Sequence, residues 1–116
     1  SLFAMSFYGA EKTVPHYNLM GPIKAALESV VRYTALELGP KGIRAYTVSP
    51  GPIETRAASG LAEFEQLIAT AKERAPLKRL ASIDDVGAAT AMLATRAGEF
   101  LTGQTIYVDG GYHITG

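Results

Sequence analysis

Apolar positions set a changing period along this chain. Residues 1–6, SLFAMS, read as a short buried strand, and residues 9–16 carry no periodic stripe and read as loop. From Tyr17 to Leu38 the pattern is helical: Ile23, Leu27, Val30, Val31, Thr34 and Leu38 fall on one stripe, which Gly39-Pro40 ends. Residues 43–48, IRAYTV, read as a second strand. The SPGPIET segment that follows is a stiff loop, because glycine permits close approach and the prolines fix the path. A second helix is expected over residues 62–74, with Phe64, Leu67, Ile68 and Ala71 on one face, ending before Pro76. The third starts at Ser82. There Ser82 and Asp85 have capping-box spacing, with Asp in place of the usual Glu or Gln, and the stripe is Val86, Ala89, Thr90 and Leu93. Residues 105–108, TIYV, form a last strand that runs into DGGYHITG.

The resulting order is strand, helix, strand, two helices, strand, which predicts an α/β fold with a parallel sheet covered by helices. Three strands make a narrow sheet, and no G-x-G-x-x-G follows a strand. The expectation is therefore the C-terminal half of a Rossmann-like, doubly wound domain, residues 1–116, lacking the cofactor-binding first half.

Composition narrows the function classes. Lys+Arg and Asp+Glu both number 11, so the formal net charge is zero, and no basic block points to nucleic acid. The absence of cysteine excludes disulfides and thiolate metal sites. His16 and His113 lie far apart in sequence, so no metal site is expected. No apolar run has the length of a membrane span, and the start lacks signal-peptide character. A cytoplasmic protein with no membrane partner is the expectation.

Candidate chemistry sits in YGAEKTVPHYNLMGPIK, residues 8–24, which offers two Tyr/Lys couples. Tyr8 and Lys12 are four apart, but Gly9 intervenes and no helical stripe surrounds them. They read as a loop tyrosine and a solvated lysine. Tyr17 and Lys24 are seven apart, nearly two helical turns, so both fall on one face and a substrate and a cofactor ribose would fit between them. A nearby ammonium is expected to lower the phenol pKa and make it a better donor to a developing oxyanion. On spacing alone, the couple reads more simply as a helix-start aromatic and a surface lysine.

The surrounding blocks carry a resemblance. Tyr17-x6-Lys24-Ala25-Ala26-Leu27, then EL-GPKGIR and S-PGPI-ET, resemble the short-chain dehydrogenase/reductase superfamily. Most members place the tyrosine four before the lysine, where this chain has Met20. A tyrosine seven before, with SFYGAEKTVPHYNLMG, GPIETRAASGL, SIDDVG and YVDGGY, is similar to the enoyl-acyl-carrier-protein reductases over essentially the whole chain. That resemblance implies reduction of the trans-2 double bond of an enoyl thioester on acyl carrier protein, in fatty acid biosynthesis. It implies NADH as cofactor; the residues that would discriminate NADPH are not in this chain. Tyr17 would donate to the thioester oxygen and Lys24 would hold the nicotinamide ribose. Ser49, Pro50, Gly51, Pro52 and Ile53 would pass beside the nicotinamide, with the Ile53 backbone on its carboxamide, and Thr55 would contact the pyrophosphate. Phe7, Tyr17, Met20, Ala57, Ala58 and Phe64 would line the acyl pocket. The full-length protein would be a homotetramer.

Departures from the family pattern are also visible. Phe7 stands where many relatives have a second tyrosine, Arg56 replaces an apolar residue, and Pro22 is expected to kink the helix start that carries Lys24. Two further readings stand beside the resemblance: a carbonyl-reducing member of the superfamily, against which Met20 in place of a tyrosine speaks, and a non-catalytic relative that keeps the fold, which Phe7, Pro22 and the missing half leave open.

Overall fold

The computed structural model describes residues 1–53 and 63–115. Three strands, β1 (Leu2–Met5), β2 (Ala45–Pro50) and β3 (Thr105–Val108), form one sheet in the order β1-β2-β3, parallel throughout. Helix α1 (Met20–Leu38) crosses from β1 to β2, and helices α2 (Phe64–Arg74) and α3 (Ile83–Ala94) lie between β2 and β3. Parallel neighbours cannot be joined by a tight turn, so each crossover carries helix. The element order is the one the hydrophobic pattern predicts, and no helix among the described residues is long and apolar enough to cross a membrane.

Strand β2 is the centre of the fold, and every one of its residues is buried. Alternation sends Ala45, Thr47 and Ser49 to one face and Tyr46 and Val48 to the other. Ala45 packs with Ala4 against Val31 and Ala35 of α1. Tyr46 faces α3. Its phenol accepts from Arg44 Nη1 at 2.6 Å and donates to the Gly98 carbonyl at 3.0 Å, while Arg44 Nη1 also donates to the Leu93 carbonyl at 2.9 Å. Helices therefore cover both faces, as a parallel sheet requires. A second cluster of Tyr8, Ala71, Ala75 and Tyr112 ties the last turn of α2 to the segments that follow β1 and β3.

Several boundaries differ from the sequence reading. Regular helix begins at Met20, not Tyr17, although the Gly21 N–H already donates to the Tyr17 carbonyl at 2.8 Å. Pro22 thus falls in the first turn, where amides have no intrahelical partner, and α1 runs on without a break. The second strand begins at Ala45 and extends to Pro50. Strand β1 is an edge among the described residues, so Leu2 and Met5 are about half exposed rather than buried.

The stripe on α1 is also displaced. Its buried line is Gly21, Glu28, Val31 and Ala35, whereas Ile23 and Val30 face outward. Gly21 and Glu28 meet the Gly9 backbone and the Ser6 hydroxyl after β1, whereas Val31 and Ala35 pack on Ala4 and Ala45. On α2 and α3 the expected faces are the ones turned inward, with Ala71, Val86 and Leu93 buried. The Ser82 capping box forms as predicted: Ser82 Oγ accepts from the Asp85 N–H at 3.1 Å, and Asp85 Oδ2 accepts from the Ser82 N–H at 2.8 Å.

Two glycines flank the junction of α3 with β2 and test it. A Cβ on Gly98 would lie 2.2 Å from the Leu93 carbonyl oxygen and 2.8 Å from Arg44 Nη1, whereas one on Gly87 would meet nothing within 4 Å. Gly98→Ala is expected to cost about 1–3 kcal/mol by overpacking. Gly87→Ala, in the exposed middle of α3, is expected to stabilise by about 0.5–1 kcal/mol. Urea denaturation of the two variants in a full-length protein checks the opposite signs.

Candidate active site

Met5 pairs with Val48 and Pro50 with Val108, so all three strands end at one edge of the sheet. The segments that leave them, Ser6–Ala10, Gly51–Ile53 and Asp109–Tyr112, share that edge, where open α/β sheets bind ligands. Tyr17 and Lys24 reach it from the start of α1.

Close backbone approach sets the Tyr17 ring. Gly9 lies beneath it: a Cβ there would sit 2.6 Å from Tyr17 Cδ1. Phe7 meets the ring edge-on, with centroids 5.3 Å apart, and so contributes shape but no hydrogen bond. Burial raises the Tyr17 phenol above the ordinary tyrosine pKa. This reverses the expected effect of Lys24, because desolvation of the phenolate dominates. Lys24 Nζ instead donates to the Met5 carbonyl at 2.8 Å, at the end of β1. The result is a half-buried phenol that resists ionisation and, at the same edge, an ammonium anchored on the strand end.

The SPGP segment runs along the same edge. Ser49, Pro50, Gly51 and Pro52 are buried and Ile53 is half-buried. The Gly51 N–H donates to the Val108 carbonyl at 3.3 Å, and a Cβ on Gly51 would come within 2.9 Å of Asp109 Cβ, so this glycine is needed for close approach. Asp109 in turn ties down the loop after β3. Its carboxylate accepts from the Gly111 N–H at 2.9 Å and from the His113 N–H at 2.8 Å, and it meets His113 Nδ1 at 2.8 Å.

The other couple has a structural role. Tyr8 is buried against Tyr112, edge-on at 5.2 Å between centroids, and burial drives its phenol pKa upward. Lys12 Nζ donates to the Thr115 carbonyl at 3.0 Å. The pair pins the loop to the C-terminal segment, so neither residue is the loop tyrosine or solvated lysine that the spacing implied.

The structure thus brings Phe7, Tyr17, Lys24 and Ser49–Ile53 to one edge. Met20 opens α1 and is exposed, and Phe64 opens α2 and is half-buried. Thr55, Arg56, Ala57 and Ala58 lie outside the described residues. A cleft lined by Ile53, Ile68, Lys72, Arg79 and the first turn of α3 takes in Ile53 but neither Tyr17 nor Lys24. Among the described residues no cluster of three His, Cys, Asp or Glu side chains is placed to hold a metal. Sequence reasoning passed over Ser6 and Glu28, which meet beneath this edge at 2.6 Å. The available signal was an acid one helical turn after Lys24, on the line that continues to Val31 and Ala35.

The model of the family described as enoyl-(acyl carrier protein) reductase matches residues 1–113. The chain belongs to that family. It is 47% identical over 116 residues to enoyl-[acyl-carrier-protein] reductase [NADH] 1 of Rhizobium meliloti, covering 100% of this chain and 43% of the relative. Against the NADH enoyl-[acyl-carrier-protein] reductase of Escherichia coli it is 41% identical, covering 98% of this chain and 44% of the relative. The chain spans less than half the length of these curated relatives. Among solved structures, the Bacillus cereus enoyl-acyl carrier protein reductase, with NADP+ and an indole naphthyridinone, superposes with a TM-score of 0.95 at 40% identity. That match covers 98% of this chain and 44% of the other. The Anaplasma phagocytophilum reductase in complex with NAD gives 0.89 at 43% identity, over 98% of this chain and 41% of the other. The likeness confirms a Rossmann-like α/β fold for this reductase-family segment.

Because Tyr17 rests on Gly9, Gly9→Ala is expected to displace the ring. In a full-length reductase carrying this segment, kcat should fall about 10-fold to 100-fold with little change in melting temperature, since small misplacements are costly at a reacting centre. Ultraviolet difference titration against Tyr17→Phe is expected to show Tyr17 ionising at a higher pH than an ordinary exposed tyrosine, because burial disfavours the phenolate.

Proposed function

We propose that this segment is the C-terminal catalytic half of an NADH-dependent enoyl-[acyl-carrier-protein] reductase of fatty acid biosynthesis, residues 1–116 forming part of one Rossmann-like domain. The observation that carries the reading is the Tyr17–Lys24 couple at the C-terminal edge of a parallel sheet, with the Tyr17 phenol half-buried and Lys24 anchored on Met5. The half-exposed strand β1 supports it, because a further strand would complete the sheet there.

The residues at this edge suit a nicotinamide cofactor. Ser49 Oγ is buried and has no hydrogen-bond partner among the described residues, and Lys24 spends one of its three ammonium donors on Met5. Lys24 would hold the ribose hydroxyls, the segment from Ser49 to Ile53 would flank the nicotinamide, and Thr55 would contact the pyrophosphate. Bound NADH supplies the hydride. Names and bound ligands among the relatives support NADH and leave NADPH as an alternative to be measured.

Tyr17 would perform the acid side of the reaction. As hydride reaches the β-carbon of the enoyl thioester, negative charge moves to the thioester oxygen. A neutral phenol in a partly dry site stabilises that charge by donating a hydrogen bond. Phe7 holds the ring from the side. Met20, Phe64, Ala57 and Ala58 would form the acyl pocket, the alanines leaving room and methionine adapting its shape.

The outer face of α1 carries exposed Leu19, Ile23, Val30, Tyr33 and Leu36. An apolar row of this kind favours burial against another copy, which supports a homotetramer, and the reading places the protein in the cytoplasm.

The test follows nicotinamide absorbance in a full-length protein with a trans-2-enoyl thioester, supplying NADH and NADPH separately. Oxidation is expected to require the enoyl substrate and to fall about 100-fold or more in Tyr17→Phe. No turnover with either cofactor, from a folded protein, would overturn the reading in favour of a carbonyl reductase or a non-catalytic relative.

A further inference from the structure

The interface between α1 and the sheet departs from an apolar seam at one point. Glu28 lies on the buried line of α1, 7% exposed, one turn beyond Lys24. Its Oε1 accepts from Ser6 Oγ at 2.6 Å. Ser6 is itself buried, and its N–H donates to the Val48 carbonyl at 2.8 Å, so the sheet sets its position. The carbonyl just before it, that of Met5, accepts from Lys24 Nζ. Two successive residues at the end of β1 therefore grip two successive turns of α1.

The two grips differ in kind. The Lys24 contact is exposed and open to exchange with water, whereas the Ser6–Glu28 contact is buried. No ion pair among the described residues neutralises Glu28. A buried carboxylate is expensive to desolvate, and an apolar residue of like volume would pack as well or better. Packing alone therefore does not account for it. What a short directional bond adds over apolar contact is a fixed point on the helix.

We propose that Ser6 and Glu28 are positioning residues for Lys24: their buried hydroxyl–carboxylate contact fixes the height and rotation of α1 over the end of β1, and with it the place of the Lys24 ammonium. The inference rests on the reading of Lys24 as the group that holds the cofactor ribose. Met5 takes one ammonium donor, and the stance of the helix aims the other two. Release of Glu28 leaves Lys24 in the protein but lets its donors wander.

The test uses a full-length reductase carrying this segment. Ser6→Ala combined with Glu28→Leu removes both partners and leaves no buried group unpaired, so the fold should hold. KM for NADH is expected to rise about tenfold or more, with KM for the enoyl thioester nearly unchanged, as expected for a misplaced positioning group. Glu28→Gln keeps an acceptor for Ser6 and is expected to hold the NADH KM within about twofold of wild type. Val31→Ala, a truncation on the same buried line, is the control: it should lower the melting temperature and leave the NADH KM alone.

An unchanged NADH KM in the folded double variant overturns the proposal. Should that variant not fold, Glu28→Asp, which withdraws the carboxylate by one methylene, carries the same two outcomes. Lys24→Met separates the two readings. If it leaves the NADH KM unchanged, the assignment of Lys24 has failed and the proposal falls with it. If it raises KM while the double variant does not, only the proposal has failed.

Discussion

Parallel pairing of β1, β2 and β3 is the constraint on which the site depends. With Met5 opposite Val48 and Pro50 opposite Val108, every strand delivers its following segment to the same edge. Residues more than 30 positions apart in sequence become neighbours without any local signal. Helix α1 must then start at that edge, because a parallel crossover leaves the end of one strand and returns to the start of the next. Tyr17 and Lys24 are carried there by topology, and the Gly9 backbone and the Met5 carbonyl fix where they stand.

The face of the sheet beneath α1 changes character along its length. Near the start of β2 it is apolar, with Ala4 and Ala45 against Val31 and Ala35. Towards the C-terminal edge the same face carries Thr47 and Ser49, whose hydroxyls are buried without hydrogen-bond partners among the described residues, together with Tyr107, Ser6 and Glu28. Burial, with Glu11, Glu28 and Asp109 nearby, raises the Tyr107 phenol pKa. An unpaired buried hydroxyl costs about 1–3 kcal/mol relative to a paired one. Such groups gather at the end of the sheet that meets the site, while the apolar end holds the helix down.

The sequence carried most of the fold and part of the site. Periodicity located all three strands and all three helices, and the Ser82–Asp85 spacing marked the start of α3 to the residue. Those elements are set by local pattern and capping. The face of α1 was misread because the rule that apolar residues point inward fails where a helix packs on a functional edge. There Gly21 and Glu28 are buried while Ile23, Val30 and Leu36 face out. The direction of the Tyr17 shift was misjudged for a related reason. Spacing shows that a lysine is near, but burial of the ring comes from Gly9 and Phe7, which only the folded loop reveals. The contacts of Tyr8 and Lys12 were invisible in their spacing, because Tyr112 and Thr115 meet them from the far end of the chain.

The exposed apolar residues of β1 and those of the outer face of α1 have different physical meanings. Strand β1 is short of a hydrogen-bonding neighbour along its edge, and an unpaired edge is satisfied by another strand, which supplies backbone donors and acceptors. The outer row of α1 has its backbone bonds made within the helix and lacks only apolar cover. A strand cannot be completed by side chains alone, and a helix face does not need a strand. The first surface therefore calls for more of the same sheet and the second for a helix or another flat apolar face. The proposed half-domain, whose sheet would continue past β1 and whose α1 would meet another copy, requires both kinds of cover. Helix α1, which bears Lys24, is held on its inner side by β1 through Met5 and Ser6, and its outer row is the side still without cover among the described residues.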